Sequence, residues 1–127
     1  MVIPDLDNII FQLMTDLEER AMLKDTLVVA MGEFGRTPGI NAARGRDHYP
    51  QAWSLMMAGC GIKQGVVVGE TDKDGYGVIS KPYNERNLFA TIFAALGLDP
   101  HKQYNLPGLP EFHYVEEKSA PIHELLA

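Results

Sequence analysis

The sequence is poor in cysteine: of its 127 residues only Cys60 carries a thiol. A single thiol cannot close an internal disulfide, which excludes a disulfide-stapled scaffold. Positive charge is also scarce. Eleven Lys and Arg stand against seventeen Asp and Glu, a formal net charge of −6. That balance lacks the broad basic footprint that nucleic-acid phosphates reward, so no nucleic-acid partner is expected. It gives no basis for binding an anionic membrane surface either. No apolar run approaches the roughly 20 residues of a membrane span. The opening Met1-Val2-Ile3-Pro4-Asp5 shows no basic stretch leading into an apolar one, so no signal peptide is expected in this sequence. Internal repeats and low-complexity linkers are missing as well. Apolar residues are not scarce: 46% are hydrophobic, which supports a core and argues against wholesale disorder. The length suits one domain.

Periodicity organises the chain. Leu6, Ile9, Ile10, Leu13, Met14, Leu17, Met22 and Leu23 fall at helical spacing, with Asp16, Glu18, Glu19 and Arg20 on the other face. This predicts a helix over 6–23, capped by Asp5 or Asp7. Thr26 to Met31 is short, β-branched and apolar on both faces, as are strands of a parallel sheet covered by helices. A second buried strand is expected over 52–58, and Val66-Val67-Val68 reads as a short strand or edge segment. Residues 69–81 predict a small hairpin or excursion. A second amphipathic helix is expected over 84–96, with Leu88, Ile92, Phe93, Ala95 and Leu96 inward and Gly97 at C′. The Pro- and Gly-rich tail from Asp99 predicts an irregular wrap over the surface.

Chemistry concentrates in the long loop over 32–50, which follows the Thr26–Met31 segment. At the C-terminal edge of a parallel sheet such a loop is where open α/β folds place ligands. Glu33 stands at the end of a buried strand, and His48 lies fifteen positions later. A carboxylate and an imidazole form a common half-site for Zn²⁺ or Mn²⁺, although a catalytic zinc takes three protein ligands. Arg36 and Arg46 offer planar donors for phosphate or sulfate. The structural alternative is that Glu33 pairs with Arg36 or Arg46 and ties the loop down. Other candidates read more simply. His101, His113 and His123 are expected to be surface or packing histidines, and Cys60 a small buried thiol. Asp72-Lys73-Asp74-Gly75 resembles the start of a calcium loop but lacks the twelfth-position carboxylate, so a polar turn is expected. Gly59-Cys60-Gly61-Ile62 lacks the third glycine of a dinucleotide fingerprint.

Several strings carry a resemblance. They are Thr26-Leu27-Val28-Val29-Ala30-Met31-Gly32-Glu33-Phe34-Gly35-Arg36-Thr37-Pro38, then Ile40-Asn41, Gly45-Arg46-Asp47-His48-Tyr49-Pro50, Trp53-Ser54 and Ala58-Gly59-Cys60-Gly61-Ile62-Lys63. Gly69-Glu70-Thr71-Asp72, Leu88-Phe89-Ala90-Thr91-Ile92, Leu96-Gly97-Leu98-Asp99-Pro100 and Pro121-Ile122-His123-Glu124-Leu125-Leu126 extend it along nearly the whole chain. Together they resemble domain-of-unknown-function family 1501, sulfatase-like proteins similar to the alkaline phosphatase superfamily.

The resemblance implies an alkaline-phosphatase-like fold, a three-layer α/β/α sandwich with a mainly parallel sheet. It further implies a metal-dependent hydrolase ancestry acting on sulfate or phosphate esters. In that superfamily a strand ends in Asp-His-Gly, whose Asp and His bind one metal; the matching position here is Glu33-Phe34-Gly35. Glutamate keeps a ligating oxygen, whereas phenylalanine has none. His48 resembles the later histidine ligand. The implied roles are therefore a divalent metal (Zn, Mn, Mg or Ca) on Glu33 and His48, and anion or substrate binding by Arg36, Arg46 and Asp47.

Family members are longer, with further ligands and the nucleophile region upstream, and often carry an export signal. Residues 1–127 are accordingly expected to be the C-terminal portion of such a domain, inactive alone. A sheet parted from its neighbouring strands exposes an edge and an apolar face, which predicts a homo-oligomer. The alternative reading is a non-catalytic binding or assembly module. Substrate, metal identity and compartment stay open.

Overall fold

In a computed structural model, residues 2–108, 110–115 and 118–127 are described. The first periodic segment forms helix α1, Val2–Glu19. Pro4 sits in its first turn, where the missing N–H costs no helical hydrogen bond. The helix ends four residues before the expected Leu23. Ala21 adopts a left-handed backbone, φ 56°, and the amides of Ala21 and Met22 return to the carbonyls of Glu18 and Leu17 at 2.9 and 2.8 Å. That pattern closes the last turn and stops propagation. A 3₁₀ turn, Leu23–Asp25, then redirects the chain. The apolar stripe of α1 is only partly used: Leu17 is buried, whereas Leu6, Ile9 and Leu13 are 50%, 63% and 44% exposed.

Strand β1, Val28–Met31, pairs with β4, Leu55–Ala58, in antiparallel register, Val28 opposite Ala58 and Met31 opposite Leu55. Between them β2, Gly35–Arg36, pairs antiparallel with β3, His48–Tyr49. A third antiparallel pair joins β5, Gln103–Tyr104, to β6, Phe112–His113. The three-layer α/β/α sandwich with a mainly parallel, alkaline-phosphatase-like sheet is therefore overturned. Among the described residues the sheets are three, each two-stranded and antiparallel.

The physical reason lies in the connection. Parallel neighbours need a crossover, usually a helix, and residues 32–54 contain none. The chain instead runs out along β1 and β2, turns over 37–47 and returns along β3 and β4, one ribbon with a kink between its two ladders. The kink fits only glycine at position 35, because a Cβ there would overlap the carbonyl of Ala52. The expected strands exist, but Val28 to Ala30 and all of β4 are half-buried rather than covered on both faces.

Helix α2, Glu85–Ala95, is flanked by the expected boundaries. The Asn84 side chain accepts from the amides of Arg86 and Asn87 at 3.1 and 3.3 Å, and Asn87 answers by accepting the Asn84 amide at 3.1 Å. At the other end Gly97, φ 74°, sends its amide to Ala94 while Leu98 bonds Phe93, the glycine-terminated motif expected at C′. The core gathers here. Leu88, Ala90 and Thr91 of α2 are buried, as are Ile62, Val115, Ser119 and Ile122.

The final segment packs against this helix. Ile122 donates its amide to Thr91 Oγ1 at 2.8 Å and Asn87 Nδ2 donates to the Ala120 carbonyl at 2.8 Å. Ile62 and Leu126 form an antiparallel bridge. No strand forms over Val66-Val67-Val68, while the 69–81 excursion is a hairpin-like turn bridged at Thr71 and Val78.

Candidate functional site

The candidate residues all lie on the outer half of the β-ribbon. Gly35 and Arg36 face Tyr49 and His48 across the β2–β3 ladder, so sequence neighbours of the 37–47 loop are held at its base. The loop is hydrogen-bonded to itself throughout. Thr37 donates its amide to the Asp47 carbonyl at 3.0 Å and accepts the Asp47 amide on Oγ1 at 3.0 Å. Asn41 Oδ1 accepts the amides of Ala43 and Gly45 at 3.0 Å, and its Nδ2 donates to Asp47 Oδ1 at 2.8 Å. Short Asx side chains close turns in this way. Asp47 is thus an internal brace of the loop.

Arg46 spans the loop, its Nη1 donating to the carbonyls of Thr37, at 2.8 Å, and Pro38. Those two bonds use the hydrogens of Nη1 and leave the Nε and Nη2 donors of an exposed guanidinium. Arg36 reaches the Arg46 carbonyl at 3.4 Å and lies over the Phe34 ring, 5.3 Å from its centroid. The His48 imidazole rests on the same ring, centroids 4.1 Å apart and planes tilted by 41°. Phe34 is therefore an aromatic hub for Arg36 and His48.

Within residues 36–48 the charged groups are Arg36, Arg44 and Arg46 against Asp47 and the titratable His48. Asp47 is engaged by Asn41, and among the described residues no salt bridge within 4.0 Å involves any of the three arginines. A chain of net charge −6 thus carries a local cationic tip.

Glu33 is exposed and makes no ion pair within that distance to Arg36, Arg46 or His48 among the described residues. The pairing of Glu33 with an arginine is thus not part of this geometry. Glu33 and His48 are also not gathered into a ligand shell. No group of three or more His, Cys, Asp or Glu side chains placed to hold a metal occurs among the described residues. These two residues do not by themselves fit a divalent ion, which needs more donors.

Cys60, His113 and Asp72 have structural partners. Cys60 is half-buried, with Sγ 3.1 Å from the Ala95 carbonyl. His113 Nδ1 lies 3.0 Å from the His101 carbonyl. Asp72 is a turn former: its oxygens accept the amides of Asp74, Tyr76 and Gly77 at 3.0, 3.1 and 2.7 Å. The Gly77 bond, then that of Tyr76, holds its carboxyl below the usual aspartate value. Three of its acceptor sites are taken by backbone amides of the turn.

Thr37, Asn41 and Tyr49 carry the resemblance in the sequence but had no structural role assigned to them there. The signal for Asn41 and Thr37 was available, since both types close loops on their own backbone. Tyr49 offered none, because its partner at Tyr76 is 27 residues away. No helix among the described residues is long and apolar enough to cross a membrane.

The candidate site is thus the self-braced, arginine-rich tip of a two-ladder antiparallel ribbon. The chain belongs to the family described as Protein of unknown function (DUF1501), which matches residues 1–126. No curated protein matches it, and no solved structure does.

Proposed function

We propose that the chain is an oxyanion-recognition module of a sulfatase- or phosphatase-like hydrolase, and that the 36–48 loop grips the sulfate or phosphate group of an ester. The observation that carries this reading is the set of three arginines with no carboxylate within 4.0 Å among the described residues, one of them already fixed by the Thr37 and Pro38 carbonyls. Guanidinium groups present planar paired donors that match such oxyanions. Pre-fixing Arg46 lowers the ordering cost of that match. Glu33 and His48 supply two ligands at most, so a metal centre on them requires further donors, and turnover by this chain alone is not expected.

Titration of the chain with inorganic sulfate and phosphate, followed by amide shifts in NMR, tests the reading. Saturable shifts over residues 36–48 are expected, weakened about tenfold in Arg36→Ala, the worth of a charged hydrogen bond. Flat titrations with both anions overturn it. Zn²⁺ titrated into the chain and into Glu33→Ala and His48→Ala separately reads the metal half-site. Hydrolysis of aryl sulfate or aryl phosphate by the chain alone would contradict the incomplete site.

A second reading rests on a different observation. The exposed stripe Leu6, Ile9 and Leu13 on α1 supports an assembly module, in which a second copy covers these side chains and gives a homo-oligomer.

A further inference from the structure

The arginine tip does not stand alone. The hairpin bridged at Thr71 and Val78 reaches across to it and touches both of its limbs. On the returning limb Tyr49 donates its hydroxyl to the Tyr76 carbonyl at 2.7 Å, and the two rings meet edge to face, 5.7 Å between centroids at 88°. On the outgoing limb a Cβ placed on Gly39 would come within 2.9 Å of the Tyr76 hydroxyl. One placed on Gly75 would lie 3.2 Å from Pro38 Cγ. Tyr76 therefore sits between Tyr49 and Gly39, where the loop opens and closes.

Tyr76 is itself placed by Asp72. The Asp72 side chain accepts the Tyr76 amide, along with those of Asp74 and Gly77. The Asp72 amide and the Gly77 carbonyl close the same turn at 2.8 Å, and Gly75 returns its amide to the Asp72 carbonyl at 3.0 Å. Farther from the tip, Ile79 bonds the Glu70 carbonyl at 2.9 Å and the Glu70 amide bonds Ser80 Oγ at 2.9 Å. Backbone and side-chain bonds thus tie the turn on both sides of Tyr76. The single aromatic residue of this polar turn, Tyr76, lies against the cationic loop.

We infer that Asp72 and Tyr76 are positioning residues for the arginine loop, and that the hairpin sets the geometry in which Arg36 and Arg46 meet an oxyanion. The inference rests on the oxyanion reading for its functional consequence. Its structural half, the support of the loop by the hairpin, stands on the contacts above. Asp72 fixes the turn, the turn presents Tyr76, and Tyr76 holds Tyr49 and Gly39 at the spacing that lets Thr37 and Asp47 exchange their two hydrogen bonds.

Two variants of the full chain separate these steps. Tyr49→Phe deletes one hydroxyl and keeps the ring. Asp72→Asn replaces one acceptor oxygen with an NH₂ that faces backbone donors. Each is measured by amide hydrogen exchange and by titration with inorganic sulfate. Exchange at Thr37 and Asp47 is expected to quicken about tenfold, the worth of one hydrogen bond. Exchange at Leu88 and Thr91 is expected to change less than at Thr37 and Asp47 in Tyr49→Phe, and the thermal midpoint to fall by no more than about 5 °C. Sulfate affinity is expected to fall severalfold with it, a readout that general destabilisation would not move while the α2 amides hold. Unchanged exchange at Thr37 and Asp47 in both variants overturns the inference. So does quickened exchange with undiminished sulfate affinity. A wild-type chain that binds no sulfate overturns the oxyanion reading instead, and the exchange experiment then decides the support of the loop by itself.

Discussion

Thr91 is one of the side chains that hold the C-terminal segment. It is fully buried, 0% exposed. Its hydroxyl donates to the Asn87 carbonyl at 2.7 Å and accepts the Ile122 amide at 2.8 Å. Thr91→Val keeps the shape and removes the oxygen. The Asn87 carbonyl keeps its helical partner, since the residue four positions on still supplies an N–H. The Ile122 amide does not keep one, and a buried orphan donor costs about 2 kcal/mol. Thr91→Ser makes the opposite cut: it keeps the hydroxyl and loses a buried methyl, about 1 kcal/mol. Unfolding entropy of about 2.1 cal/mol/K per residue over 127 residues gives about 0.27 kcal/mol/K. The thermal midpoint by circular dichroism is then expected to drop about 7 °C for valine and about 4 °C for serine. Exchange at Ile122 should quicken in the valine variant alone. A serine variant as unstable as the valine variant, or less stable, would refute the reasoning, because packing and not the hydroxyl would then hold the segment.

Other expectations follow from single contacts. Gly35→Ala drives a methyl into the Ala52 carbonyl, so the ribbon should lose its Gly35–Tyr49 pairing and the chain should unfold about 4 to 11 °C lower, from overpacking of about 1 to 3 kcal/mol; an unchanged midpoint contradicts the close approach. Hydrogen bonds hold Asp72 and Glu124 below their ordinary values, Asp72 chiefly through Gly77 and Glu124 chiefly through the Tyr83 hydroxyl. Their contribution to stability is full above the unfolded carboxylate range and is lost as pH falls through the lowered folded values. Asp72→Asn should therefore flatten the acid limb of a pH–stability curve below about pH 4. Tyr83 moves the other way: its bond to Glu124 raises its value, so that part is full below about pH 10 and is lost above it; Tyr83→Phe should flatten the alkaline limb. Finally, the α1 stripe is flanked by Asp5, Asp7, Asp16 and Glu18. Association of two copies through it should strengthen as salt screens those charges, and sedimentation that shows a 14.1 kDa particle at every salt concentration would refute it.

What the sequence disclosed followed from short-range physics. The second helix was legible to within a residue at each end, because Asn84 and Gly97 act on backbone groups beside them. The existence of β1 and β4 was legible too, since β-branched and apolar residues cluster there. Helix α1 was legible in type but displaced, because nothing in the sequence marks Ala21 as a left-handed residue where glycine is the usual occupant. The loop was found by its composition, and its arginines by their charge. Its bracing by Asn41 and its support by Tyr76 were not found. The first is a side-chain bond that Asx residues can make in any loop, and the second pairs residues far apart in the chain.

The direction of the sheet shows where such reasoning fails. Runs apolar on both faces suggest covered parallel strands, but apolarity reports burial and not the partner's direction. Direction is set by what joins the strands. Residues 32–54 hold two prolines, four glycines and no helical period, so the chain cannot cross over and return parallel; it can only double back. Once it doubles back, Gly35 must face Tyr49 and Arg36 must face His48. That places His48 on the Phe34 ring and not against Glu33. Glu33 and His48 form no pair within 4.0 Å among the described residues, and the arginines stay at the tip as the loop's exposed chemistry.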